Sequence, residues 1–253
     1  MDNNLDYTKA FVIKKKNLIK PVFIFVIILI VVVSSIFLLI NFLPNSTKFD
    51  ITIPSKDFYA VSLMSSTQKL ELDKEYNRVI SLGACGYIIK IGDMYNMLAL
   101  IYPSEDLARS VVASNSHINW DLQVVKISTK DNSFDLEGYS REDIAKVNEI
   151  ATYIYDFANI LYELTISLQT NSISSIACAS SVNTHKGELL SYKTQLQYFI
   201  SQTNNKDLIA LQEVIIKLDN ILEKLVNNLI VNSVDSHIIK YALCEYIDAL
   251  YNY

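Results

Sequence analysis

Between Pro21 and Pro44 the chain reads PVFIFVIILIVVVSSIFLLINFLP, without a charge and with Ser34, Ser35 and Asn41 as its most polar members. As a helix rising about 1.5 Å per residue, the run is roughly 34 Å long, enough to cross a hydrocarbon core of about 30 Å. A core helix of that length in a globular domain shows a polar stripe, and this one shows none. The run therefore predicts a transmembrane helix over residues 21–43. The tail 1–20 holds Lys9, Lys14, Lys15, Lys16 and Lys20 against Asp2 and Asp6, whereas Asn45, Ser46, Thr47 and a single Lys48 follow the span. Basic residues stay cytoplasmic, so the N-terminus is expected inside the cell membrane and residues 45–253 outside it. A cleaved signal peptide would have a shorter apolar region and a small-residue cleavage site. Here the run ends in Phe42-Leu43-Pro44 and no cysteine follows to accept a lipid, which favours an uncleaved, single-pass anchor.

Charge narrows what the exterior part can bind. Removing the tail's lysines and aspartates from the chain's 22 basic and 27 acidic residues leaves the ectodomain with a net charge near −8. That argues against nucleic acid, or any polyanion held by attraction alone, and leaves neutral sugars open. Cys85, Cys178 and Cys244 are odd in number and widely spaced, so they are no disulfide framework. Burial as small hydrophobes accounts for them, with a bridge between one pair left open. Abundant Ile, Asn, Lys and Tyr, with few Gly and Pro, match AT-rich codons and a low-GC bacterial source.

Residues 44–57 read as a short polar stalk. From Phe58 the pattern alternates between strand and helix signals. Phe58–Met64 is an aromatic and β-branched strand. Ser65, Ser66 and Thr67 offer an N-cap to a helix carrying Leu70, Tyr76, Val79, Ile80 and Leu82, which Gly83 ends. Strands over 86–91 and 95–102 flank a Gly92-Asp93 hairpin turn. Pro103 breaks the second, and Ser104 with Glu105 and Asp106 starts a helix that runs to about Ser114. A last strand covers 122–128. Strand–helix–strand–strand–helix–strand over residues 58–129 is the ferredoxin-like arrangement, a four-stranded antiparallel sheet with both helices on one face and the other face free.

Residues 130–139 read as a polar linker and 140–253 as a helical hairpin array or bundle, so the fold class is α+β after an N-terminal membrane helix. Ser140 and Asp143 have capping-box spacing. A second helix lies within 173–202, where Gly187 is a potential break. In the third, Leu208, Leu211, Ile215, Leu218, Leu222, Leu225 and Leu229 step 3-4-3-4-3-4, a coiled-coil seam. Packing within the chain explains such a seam. So does a partner or a second copy recruited through Leu211, Leu218, Leu222 and Leu225. A fourth helix follows Asn232-Ser233, with Val234, Ile238, Tyr241, Ala242, Ile247 and Leu250 apolar.

The stretches FYAVSLM (58–64) and GACGYIIKIGDMYNMLALIYPSEDLARSVV (83–112) resemble SPOR domains, particularly divergent ones in anchored proteins of spore-forming Gram-positive bacteria. The likeness rests on the aromatic first strand, the Gly-Tyr strand at Gly86-Tyr87, the aromatic strand after it, and the Ala108–Val112 helix end. It covers about Phe58–Ser128. Ser62 stands where Gln is usual and Met64 where Gly is usual. The resemblance implies a ferredoxin-like fold, an N-terminal anchor, non-catalytic binding of septal or spore-envelope peptidoglycan glycan strands, and a place in cell division or sporulation.

Motifs for other chemistry are missing from the sequence. His117, His185 and His237 lie in no metal-ligand spacing, so no metal and no cofactor is expected. Gly83-Ala84-Cys85-Gly86 joins a helix to a strand and has Tyr87 where a nucleophile elbow needs glycine. Glu105-Asp106 and Glu142-Asp143 sit where helix starts favour acids. The chain is not expected to be an enzyme. Of its 16 tyrosines, Tyr59, Tyr87, Tyr95 and Tyr102 fall on the sheet, where rings can stack on sugars or simply pack. With glycan binding, the contacts expected are Ser62, Tyr87, Lys90 and Tyr95. The alternative function is a cell-envelope scaffold whose sheet has lost its ligand and whose helical tail recruits a partner or dimerises.

Overall fold

The computed structural model describes residues 50–117, 120–231 and 236–253. The basic tail, the span over 21–43 and the start of the stalk lie outside these residues, as does Val234. No helix among the described residues is long and apolar enough to cross a membrane.

The described chain is mixed α+β, with two sheets and a run of helices at its C-terminal end. Strands β2 (Asp57–Ser66), β3 (Tyr87–Ile91), β4 (Met94–Tyr102) and β5 (Gln123–Ser128) form an antiparallel sheet in the order β3-β4-β2-β5. Between β2 and β3 run α1 (Lys69–Asp73) and α2 (Tyr76–Ser81), and between β4 and β5 runs α3 (Glu105–Ser114). Both connections join parallel strands across an intervening one, so the right-handed crossover preference places them on the same face. This is the ferredoxin-like order. Where one helix was expected there are two short ones, with Lys74 and Glu75 between them. Gly92, at φ +59°, makes the two-residue turn between Ile91 and Met94, a conformation that L side chains rarely adopt. Ser104 caps α3 by accepting from the Leu107 amide.

Two segments expected as stalk and linker pair with each other. β1 (Asp50–Ile53) lies antiparallel to β6 (Asn132–Asp135), with Ile51 opposite Phe134 and Ile53 opposite Asn132. Ile53, Phe134 and Leu136 are buried. Each apolar alternation is too short to signal a strand by itself, and burial against the helices supplies the stability that two short strands lack.

Four helices follow: α4 (Arg141–Gln169), α5 (Ser175–Thr203), α6 (Lys206–Val231) and α7 (Ser236–Tyr251). The capping box opens α4: the Ser140 hydroxyl accepts from the Asp143 amide and the Asp143 carboxylate accepts from the Ser140 amide. Gly187 does not break α5. A helix interior tolerates one glycine at a cost of about 1 kcal/mol. The seam of α6 faces inward: Leu208, Leu211, Ile215, Leu218, Leu222, Leu225 and Leu229 are all buried within the chain, where α6 packs against α5 and α7. Leu211, Leu218, Leu222 and Leu225 are therefore not available to a partner or a second copy, because intrachain packing consumes the face that would have associated.

Most of these side chains belong to one apolar core. It extends from Val61, Ile89, Leu98 and Leu100 of the sheet through Cys85 to Cys244, Leu243 and Tyr246 of α7 and on into α4, α5 and α6. A smaller cluster, Leu63, Leu72, Val79, Ala84 and Met97, lies between the sheet and α1–α2.

Candidate functional site

The natural place for a ligand on a four-stranded sheet with helices on one side is the opposite face. Register identifies which residues that face carries. Tyr87 pairs with Leu98 and Ile89 with Asn96, while Ile88 pairs with Met97 and Lys90 with Tyr95. Residues directly opposite each other in an antiparallel pair share a face. Met97 belongs to the small core under α1–α2, so Tyr87, Ile89, Leu98, Leu100 and Tyr102 make up the other face.

That face is occupied by α7. The Tyr87 hydroxyl donates to Asp248 Oδ2 at 2.6 Å, and its ring meets that of Tyr241 edge-on, 5.0 Å between centroids. The Lys240 ammonium donates to the Gly83 carbonyl at 2.7 Å. Cys85 and Cys244 bring their sulfurs to 3.4 Å. Tyr102 packs edge-on against Tyr162 of α4, 5.9 Å between centroids. Behind α7, the fully buried Tyr246 donates to the Ile154 carbonyl at 2.8 Å. Burial and then the Asp248 carboxylate push the Tyr87 phenol far above its usual range. Burial does the same to Tyr102 and Tyr246, so these hydroxyls stay protonated.

The four residues expected to contact glycan do not share a surface. Ser62 is fully buried where the β2–β4 register shifts, and its hydroxyl donates to the Met64 carbonyl at 3.0 Å. Tyr87 is under α7. Lys90 and Tyr95 are cross-strand neighbours on the α1–α2 face, with the ammonium 5.6 Å from the ring centroid. Of the four, the structure brings together only this pair.

Of the residues that occupy the face, Tyr241 and Cys244 read from sequence only as apolar or buried positions, and Lys240 and Asp248 carry no signal of their own. The helix as a whole carries one. Residues 238–250 are apolar on nearly every side, and a helix hydrophobic all round is a buried one. A second polar cluster joins α4 to α5: the Tyr153 hydroxyl lies 2.9 Å from His185 Nδ1 and also bonds Glu188, and the Tyr192 hydroxyl donates to Glu149 at 3.1 Å. It clasps two helices. Among the described residues there is no group of three side chains that could hold a metal ion.

No protein-family model matches the chain, and no curated protein does. Among solved structures, the chain is similar to the solution structure of the peptidoglycan binding domain of the B. subtilis cell wall lytic enzyme CwlC. The match covers 29% of this chain and 94% of that one, at 18% identity and a TM-score of 0.25. A superposition that loose says nothing about a ligand.

Proposed function

We propose that this chain is a non-catalytic, SPOR-like protein of the bacterial cell envelope, held by the apolar segment 21–43 with residues 45–253 outside the membrane. It works at the peptidoglycan layer in division or sporulation as a scaffold, and the open sheet face of a SPOR domain is not its means of gripping glycan. One observation carries the scaffold part of the reading: α7 lies on the sheet face that a glycan strand would need. The quoted SPOR-like stretches and the β3-β4-β2-β5 order support the family part.

Cosedimentation tests it. Residues 48–253 are mixed with purified sacculi, intact or stripped of stem peptides by an amidase. The protein is expected to remain in the supernatant with both. Pelleting that rises on the stripped glycan would overturn the scaffold reading in favour of a working SPOR-like binder. Substitution of Lys90 and Tyr95, the candidate pair away from α7, would then locate the contact.

A further inference from the structure

We propose that Cys85 and Cys244 form a disulfide that staples the C-terminal helix α7 to the sheet and leaves Cys178 as the chain's single thiol. The two sulfurs are 3.4 Å apart, so they lie about 1.4 Å beyond a covalent bond of about 2.05 Å, a gap that side-chain torsions can close. Both cysteines are fully buried. Their backbones are held on either side of the contact. Lys240, one turn before Cys244, bonds Gly83, and Asp248, one turn after it, bonds Tyr87. The residues flanking Cys85 are thus tied to those flanking Cys244, and the thiols face each other for as long as α7 stays on the sheet. Cys178 lies in α5, and as the structure stands none of the three cysteines is bridged. The cysteines of the pair are 159 positions apart, and a bridge across so long a loop constrains the unfolded chain strongly.

The chemistry is ordinary disulfide exchange, with a disulfide such as oxidised glutathione, or the oxidised dithiol of an oxidoreductase, as the oxidant. The thiolate of one cysteine attacks a sulfur of the oxidant, its S–S bond breaks, and one thiolate leaves. The thiolate of the other cysteine then attacks the protein sulfur of the mixed disulfide and expels the second. Two cysteine thiols lose two electrons and two protons, and the oxidant leaves as two thiols. Burial excludes a bulky oxidant from the folded chain, so the bond forms as the chain folds. Once formed, it is shielded from reductant in the same way.

Maleimide counting tests this. The full chain, purified folded under reducing conditions, is incubated with oxidised glutathione across a series of urea concentrations. The urea series extends into the unfolding transition, and each sample is then quenched with acid, unfolded and labelled, and its intact mass is read. Labelled maleimides are expected to fall from three to one, most readily at the urea concentrations where the chain begins to unfold and refold. A proteolytic fragment joining the Cys85 and Cys244 peptides should appear and vanish on reduction. The oxidised chain should also show a higher urea midpoint than the reduced one, a difference that Cys85→Ser abolishes and Cys178→Ser leaves in place. Three maleimides at every urea concentration, or a cross-link that includes Cys178, would overturn the proposal.

Discussion

Replacing Tyr87 with phenylalanine removes one oxygen from the contact between sheet and helix and leaves the ring in place against Tyr241. The hydroxyl donates to Asp248 at 2.6 Å, and a hydrogen bond to a charged acceptor contributes about 1.5–3 kcal/mol. Both groups are partly open to solvent, so screening reduces this to about 1–2 kcal/mol. Asp248 retains its bond from Asn252 Nδ2 at 2.7 Å and is not left unpartnered. For a unit of this size, a loss of 1–2 kcal/mol lowers the melting temperature by roughly 2–8 °C. The assay is thermal and urea unfolding of residues 48–253 for the wild type, Tyr87→Phe, Asp248→Ala and the double variant. A coupling energy of about 1 kcal/mol between the two positions is expected, as for residues in one hydrogen-bonded pair. Lys90→Met, on the other face, should stay within about 0.5 kcal/mol of wild type. An unchanged melting temperature for Tyr87→Phe, together with additive single variants, would refute the contact and with it the closure of the sheet face.

Leu218→Ala should destabilise by about 2–5 kcal/mol through an internal cavity, while the sedimentation coefficient stays that of the wild type, because the seam is filled within one chain. Gly187→Ala should stabilise by about 0.5–1 kcal/mol in urea unfolding, since a built Cβ there meets nothing within 4 Å. Gly86→Ala should do the reverse: its φ is +67° and the new Cβ would lie 3.1 Å from the Tyr76 ring. At alkaline pH, Tyr87, Tyr102 and Tyr246 are held protonated by burial, with Asp248 adding to the effect at Tyr87. Their stabilisation is complete below the unfolded tyrosine pKa of about 10 and is lost as pH rises above it. Part of the phenolate absorbance should therefore appear only in a step that coincides with loss of helical circular dichroism, and its full development in the folded state would contradict the burial.

The order of strands and helices over 58–129 was legible because each strand carries its own alternation and each turn its own punctuation: Gly92 in the hairpin, Ser104 at a helix start. Ser140 and Asp143 were legible for the same reason, since a capping box is a property of four consecutive residues. The pairings of distant segments were not. Ile51 and Phe134 are far apart in the chain, and neither short run reads as a strand until the other is beside it. The seam of α6 announced an apolar face but not its partner, because a 3-4 spacing is the same whether a neighbouring helix or a second copy fills it. Tyr87 shows the limit most clearly. Its place on a strand was legible, but only the register against Leu98 puts it on the face away from α1–α2, and only the packing of Cys244 and Asp248 reveals that α7 covers that face. The apolar character of residues 238–250 on nearly every side was the one local clue.

Native-state hydrogen exchange of α7 tests the closed face most directly. If α7 is an integral cover, the amides of the helix interior, around Leu243–Ile247, exchange only through global unfolding, with the same protection and urea dependence as those of Met97–Ile101 in β4, and added amidase-stripped glycan leaves both unchanged. Exchange of α7 through a separate, low-energy opening while β4 stays protected, or faster α7 exchange when glycan is added, would contradict the account and make the helix a displaceable cover over a binding surface.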